Sequence, residues 1–141
     1  MSIETNKQLV TDAFSALSSG DTDTFMDKLS DDIRWTIIGT TVFSGAYQGK
    51  TDLAERLFGS LVPQLESGIA VDIRSLIGEG DTVIAECRGQ ALTKTGRAYN
   101  NTYCFVLRIE DGKIRNLTEY LDTELVTTAF EGSVDPHADQ N

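Results

Sequence analysis
The chain is poor in the residues that build most small functional sites. Histidine occurs once, at His137, and cysteine twice, at Cys87 and Cys104, among 141 residues. So few ligands cannot assemble a disulfide framework or a Cys/His metal cluster; binding by carboxylates alone stays open but has no motif. Neither a metal nor a cofactor is expected. Basic residues are also scarce, with 12 Lys+Arg against 22 Asp+Glu and a formal charge of -10, which repels phosphate backbones and anionic lipid. Nucleic acid and membrane are therefore not expected partners. No stretch approaches the ~20 apolar residues of a membrane span. The opening MSIETNKQLV has no cationic segment followed by an apolar run, so a cytoplasmic protein is expected.

What is present suits one core. Hydrophobic residues make up 40% of the chain and charged residues 24%, and the length lies near the ~100–150-residue mode for domains. We expect a single domain over 1–130, followed by a flexible acidic tail over 131–141 that has no apolar periodicity.

Apolar residues recur at helical spacing over 3–17, with Ser2 as N-cap and Gly20 as the stop. Asp21 can cap a second helix carrying Phe25, Met26 and Leu29, which Ser30-Asp31-Asp32 should end. Ile33, Trp35 and Ile37 alternate as in a strand, before a Gly/Thr/Ser-rich loop through Gly49 at a mouth or edge. A third helix runs from Leu53 to Leu65, its regular part closing near Leu61 because of Pro63. From Ile69 to Asp122 the period becomes two, and turns near Gly80, Gly96 and Gly112 divide it into four antiparallel strands. Helices first and a curved sheet afterwards define an α+β domain, with about three helices of the N-terminal half on one sheet face.

The last hairpin predicts the inside of the sheet. Reading Glu110-Asp111-Gly112 as a three-residue loop sets Ile109 opposite Lys113, Phe105 opposite Leu117, Tyr103 opposite Glu119 and Asn101 opposite Leu121. That face is the more apolar and is assigned to the interior, while Cys104, Val106, Ile114, Thr118 and Tyr120 face outward. Glu119 is thus an inward carboxylate. Burial without a cation would raise its pKa and suit it to general acid/base work; alternatively it bonds to a helix residue or to Tyr103 and supports the core. On the preceding strand Cys87 faces inward as a packing thiol, and Glu86 and Arg88 face outward as a cross-strand or subunit-contact pair. Trp35 is either a core anchor or a wall of a pocket.

The ordered segments ALSSGD (16–21), LSDDIRW (29–35), SGAYQG (44–49), EGDTV (79–83), IEDGKI (109–114) and EYLD (119–122) resemble the nuclear transport factor 2-like superfamily. More narrowly they resemble its SnoaL-like or ketosteroid-isomerase-like branch. The resemblance implies a cone-shaped α+β barrel around a deep apolar pocket, and a homodimer. Ala13, Ile37 and Phe105 stand where steroid isomerases carry a tyrosine, the base and a hydrogen-bonding acid, so that reaction is disfavoured. Cys87 and Gly89 stand where limonene-type epoxide hydrolases carry an arginine and an aspartate. Only Glu119 keeps an acid, at the position where SnoaL-like cyclases place theirs.

Together these readings lead to a cofactor-free isomerase, cyclase or hydratase acting on a small apolar ligand. Glu119 would move the proton and Tyr103 would orient it or donate to an oxyanion. Asn101 would bond a ligand oxygen, and Trp35, Ile37, Phe105, Leu117 and Leu121 would form the wall. The alternative is a noncatalytic carrier or sensor of a hydrophobic metabolite, which needs the same cone. Dimerisation is expected through the outer sheet face, where Ile84, Cys104, Val106, Ile114 and Tyr120 lie.

Overall fold
Capping starts the first two helices where expected. In the computed structural model, which describes residues 2–132, the Ser2 hydroxyl accepts from the Thr5 N–H at the start of α1 (Ile3–Ser18). The Asp21 carboxylate does the same for Thr24 at α2 (Thr22–Asp27), each satisfying one of the amides a helix start leaves open. Gly20, at φ 82, turns the chain between them. Val10, Ala13 and Phe14 form the buried stripe of α1, and the Phe14 ring lies 4.8 Å from Phe105 of the sheet. The Ser18 hydroxyl fastens the end of α1 to Val71, bonding both its N–H and its carbonyl.

Six strands form one curved open sheet: β1 (Leu29–Ile37), β2 (Gly45–Gln48), β3 (Ala70–Glu79), β4 (Thr82–Gln90), β5 (Thr102–Glu110) and β6 (Lys113–Leu121). Their order is β2-β1-β6-β5-β4-β3. β3 to β6 are the expected antiparallel meander, and β1 joins it parallel to β6, making the sheet mixed. Irregularities in three of the pairings supply local bends of the kind that curve a sheet. Among the described residues no helix is long and apolar enough to cross a membrane.

The third helix, α3, changes pitch along its length. It runs from an α-turn at Lys50–Asp52 through a π segment at Leu53–Phe58 and an α-turn at Gly59–Leu61 to a 3-10 turn at Val62–Gln64, which contains Pro63. The Gly59 N–H reaches the Ala54 carbonyl, a wide turn that brings Leu57 and Phe58 side by side to the interior. A short helix not expected from the sequence, α4 (Thr123–Ala129), follows β6; Asp122 caps it by accepting from the Leu125 N–H.

Several expectations are corrected. Ser30-Asp31-Asp32 do not end α2; they already belong to β1, because Ile114 of β6 pairs with Leu29 and its N–H bonds to the Lys28 carbonyl. The segment read as a loop through Gly49 contains β2, with fully buried Tyr47 opposite Trp35. The last hairpin turns on two residues, Asp111 at φ 52 and Gly112 at φ 75, so Glu110 faces Lys113 and Ile109 faces Ile114. An irregularity beside Arg115 adds a second one-residue slip, after which Leu107 faces Leu117, Phe105 faces Glu119 and Tyr103 faces Leu121. Two slips restore the parity. Tyr103, Phe105, Leu117 and Glu119 are buried as expected, whereas Ile114, lying before the second slip, is buried rather than outward. Of the expected acidic tail, 133–141 lies outside the described residues, and Glu131 pairs with Arg97 at 2.9 Å.

Candidate functional site
β6 presents Leu117, Glu119 and Leu121 on its inner face, and β1 brings Trp35 and Ile37 alongside. Ile37 is the direct partner of Glu119, so Trp35 reaches the carboxylate diagonally, and its indole N–H donates to Oε1 at 3.0 Å. Glu119 is 8% exposed. Burial pushes its pKa from the ordinary 4.5 up to about 7, and the Trp35 hydrogen bond, which favours the charged form, offsets only part of that rise. Oε2 has no hydrogen-bond partner among the described residues, so Trp35 anchors one oxygen and leaves the other free.

Two tyrosines lie near this carboxyl. Tyr103 is stacked on Phe105 at 5.1 Å, and its ring covers Gly89, where a Cβ would come within 2.8 Å of Cε2. Tyr99, between β4 and β5, is buried, and its hydroxyl accepts from Asn101 Nδ2 at 3.3 Å. Burial first, and the Glu119 charge second, push the Tyr99 phenol up to about 12; burial likewise raises Tyr103. Neither is an acid at neutral pH, and both are available as neutral hydrogen-bonding groups. Cys87, opposite Tyr103, is pushed up to about 12 chiefly by burial, which makes it a packing thiol.

Glu119, Trp35, Ile37, Tyr99, Tyr103 and Leu121 converge on a cavity of about 370 Å³. The rest of its wall is largely apolar: Leu57, Phe58, Leu61 and Val62 from α3, Phe43 before β2, and Val126 from α4. Among the described residues no Lys, Arg or His lines it, so none of them supplies a counter-ion to the Glu119 charge there. Phe105 and Leu117, expected in the wall, lie beneath it as core. Asn101 is also outside the lining; it bonds Tyr99, Thr102 and Asp122. Among the described residues no group of three or more His, Cys, Asp or Glu converges to hold a metal ion.

Tyr99, Phe43, Phe58 and Val126 were missed from the sequence. Phe58 carried a signal, the apolar spacing of α3. Tyr99 carried none, because it sits in an irregular segment whose position is set by the Leu92↔Ala98 bridge and the bond from its N–H to the Ala91 carbonyl.

Sheet order, helices and interior cavity define a nuclear transport factor 2-like fold. An NTF2-like protein of unknown function from Burkholderia pseudomallei superposes with a TM-score of 0.80 at 20% identity, over 94% of this chain and 100% of that one. An LEH-like epoxide hydrolase from M. tuberculosis gives 0.73 at 20% identity, over 90% of each chain. A SnoaL-like polyketide cyclase candidate from Jannaschia gives 0.75 at 16% identity, over 93% and 94%. Residues 10–117 match the SnoaL-like domain model, and the chain belongs to that family. No curated protein sequence matches it.

Proposed function
We propose that the protein is a cofactor-independent enzyme of isomerase, cyclase or hydratase/hydrolase type, in which Glu119 exchanges a proton with an apolar ligand held in the cavity. The observation that carries this reading is a buried carboxyl group held by Trp35 at one oxygen and bare at the other, in a wall that has no cation among the described residues, where burial raises its pKa to about 7. At neutral pH such a group is divided between acid and base, the condition under which one residue can take a proton from carbon and return it to oxygen. Trp35, Ile37 and Leu121 bound the ligand beside it, with Tyr103 among the polar groups at its edge. The names of the structural neighbours, an epoxide hydrolase and a cyclase candidate, are compatible with acid/base chemistry on this scaffold.

A turnover screen with ketones, epoxides and polyketides, run in parallel on wild type and Glu119→Gln, tests the reading. Loss of turnover with retained binding supports it. Equal turnover in both proteins overturns it, and binding without turnover in either assigns the cavity to a carrier of hydrophobic metabolites. The same proposal includes a homodimer through the outer sheet face, supported by the exposed Ile77 and Tyr120 there.

A further inference from the structure
Tyr99 and Tyr103 both line the cavity, and which hydroxyl meets the ligand rests on the reading of that cavity as a site of acid/base chemistry. Asn101 is 1% exposed, and its Oδ1 accepts two backbone N–H groups, from Thr102 at 2.8 Å and from Asp122 at 3.0 Å. Backbone N–H groups only donate, so the amide orientation is fixed by its partners. Nδ2 therefore points to the Asp122 carbonyl at 3.1 Å and to the Tyr99 hydroxyl at 3.3 Å. An amide NH2 only donates, so the Tyr99 oxygen accepts and its proton is turned away from Asn101.

The other polar neighbour is Tyr103. It lines the same cavity, but among the described residues no amide holds its hydroxyl as Asn101 holds that of Tyr99. A phenol oxygen accepts two hydrogen bonds and donates one. With Asn101 donating into one acceptor position, the Tyr99 proton is left for an acceptor other than Asn101. Tyr99 lines the cavity with Glu119, and the edge contact of Phe130 at 4.7 Å backs its ring.

We propose that Tyr99 is the hydrogen-bond donor to a carbonyl or developing oxyanion of a neutral, apolar ligand, and that Asn101 is its positioning residue. This reassigns the roles first expected for Tyr103 and Asn101. A neutral ligand follows from the wall: a permanent anion would face Glu119 with no Lys, Arg or His among the described residues to offset it.

The probe is 2-acetylnaphthalene labelled with carbon-13 at the carbonyl, with 2-ethylnaphthalene as a control of the same outline. Binding and the infrared carbonyl stretch are measured at pH 8, where Glu119 is largely ionised and does not donate. The ketone should bind wild type with its stretch shifted below the value in an apolar solvent. Tyr99→Phe should abolish the shift and weaken the ketone about tenfold, one neutral hydrogen bond, without affecting the hydrocarbon. Tyr103→Phe should keep most of the shift. Asn101→Asp should lose it with the phenol still present, because a carboxylate oxygen where Nδ2 stood captures the Tyr99 proton. Thermal unfolding of each variant checks that it is folded.

A shift that survives Tyr99→Phe, or one lost only in Tyr103→Phe, overturns the assignment, as does failure of the ketone to bind wild type. Glu119→Gln separates this inference from the proposed function. If that variant keeps both turnover and the carbonyl shift, the acid/base reading falls while the Tyr99 assignment stands.

Discussion
The Trp35 indole N–H donates to Glu119 Oε1 at 3.0 Å across parallel strands, although Trp35 pairs with Leu117 and not with Glu119. The contact is diagonal on one sheet face, and it supplies the only hydrogen bond to the Glu119 carboxyl among the described residues. One donor does not compensate for burial, and the carboxyl remains near neutrality.

The first prediction follows by linkage. A carboxyl raised from 4.5 to about 7 binds its proton more tightly in the folded chain than in the unfolded one. Its contribution to stability is fully present below pH 4.5, declines as pH rises toward 7, and is lost above the folded pKa. Glu119→Gln should be nearly neutral at pH 4 and stabilising at pH 8, by up to about 3 kcal/mol at the limit set by the shift. Chemical denaturation of both proteins between pH 4 and 8 measures this. A difference that stays constant across that range would show that Glu119 is not perturbed.

Trp35→Phe isolates the donor. The Phe25 and Phe58 rings pack edge-on against Trp35 at 6.1 and 5.9 Å, and a phenylalanine keeps much of that packing while removing the N–H. The bond favours the charged carboxylate, so its loss should raise the Glu119 pKa further above 7. Stability should fall by about 1 kcal/mol, more at high pH than at low. Carbon-13 NMR titration of the Glu119 carboxyl reports the shift, and a lowered pKa would contradict the assigned role of Trp35.

Gly89→Ala tests how Tyr103 is held. The added methyl would stand 2.8 Å from Tyr103 Cε2 and 3.4 Å from Ile69 Cγ2, so a ring stacked on Phe105 must move. The expected loss is about 1–3 kcal/mol, the range for overpacking. Removing the ring should remove the conflict: in a Tyr103→Ala background the same substitution should cost far less. Equal losses in both backgrounds would mean the strain lies elsewhere.

How much of this site the sequence revealed depended on parity. Alternation placed Tyr103, Phe105, Leu117 and Glu119 inside although both the turn length and the pairing beside Arg115 were misread, because a pair of one-residue slips moves a side chain by two positions and returns it to the same face. Ile114 lies between the slips, and there the reading failed. Tyr99 and β2 were invisible for a different reason. Their segments are too short and irregular to carry a period, and both are positioned by contacts outside those segments, β2 by Trp35 and its neighbours and Tyr99 by its bond to Ala91 and through Asn101 to Asp122. The Trp35 to Glu119 bond spans 84 positions and depends on β1 entering parallel to β6, which no local pattern announces.

The last prediction concerns the outer face of the sheet. Ile77, Ile84, Val106 and Thr118 stand in one cross-strand row from β3 to β6, and Glu86, Cys104 and Tyr120 form the next. Ile77 is 57% and Tyr120 46% exposed, a strip of apolar side chains that an isolated sheet face would leave in water. Ile114, first counted with this face, is buried inside and contributes nothing to it. Glu86 accepts from the Ser75 hydroxyl at 2.6 Å within the protomer, which leaves exposed Arg88 as the freer charge beside the strip. A second copy meeting this face about a two-fold axis would cover both rows at once. Light scattering at micromolar concentration should give twice the chain mass. Val106→Glu, which sets a charge in the middle of the longer row, should give a folded monomer. A monomeric wild type, or a Val106→Glu dimer of unchanged affinity, would move the interface off this face.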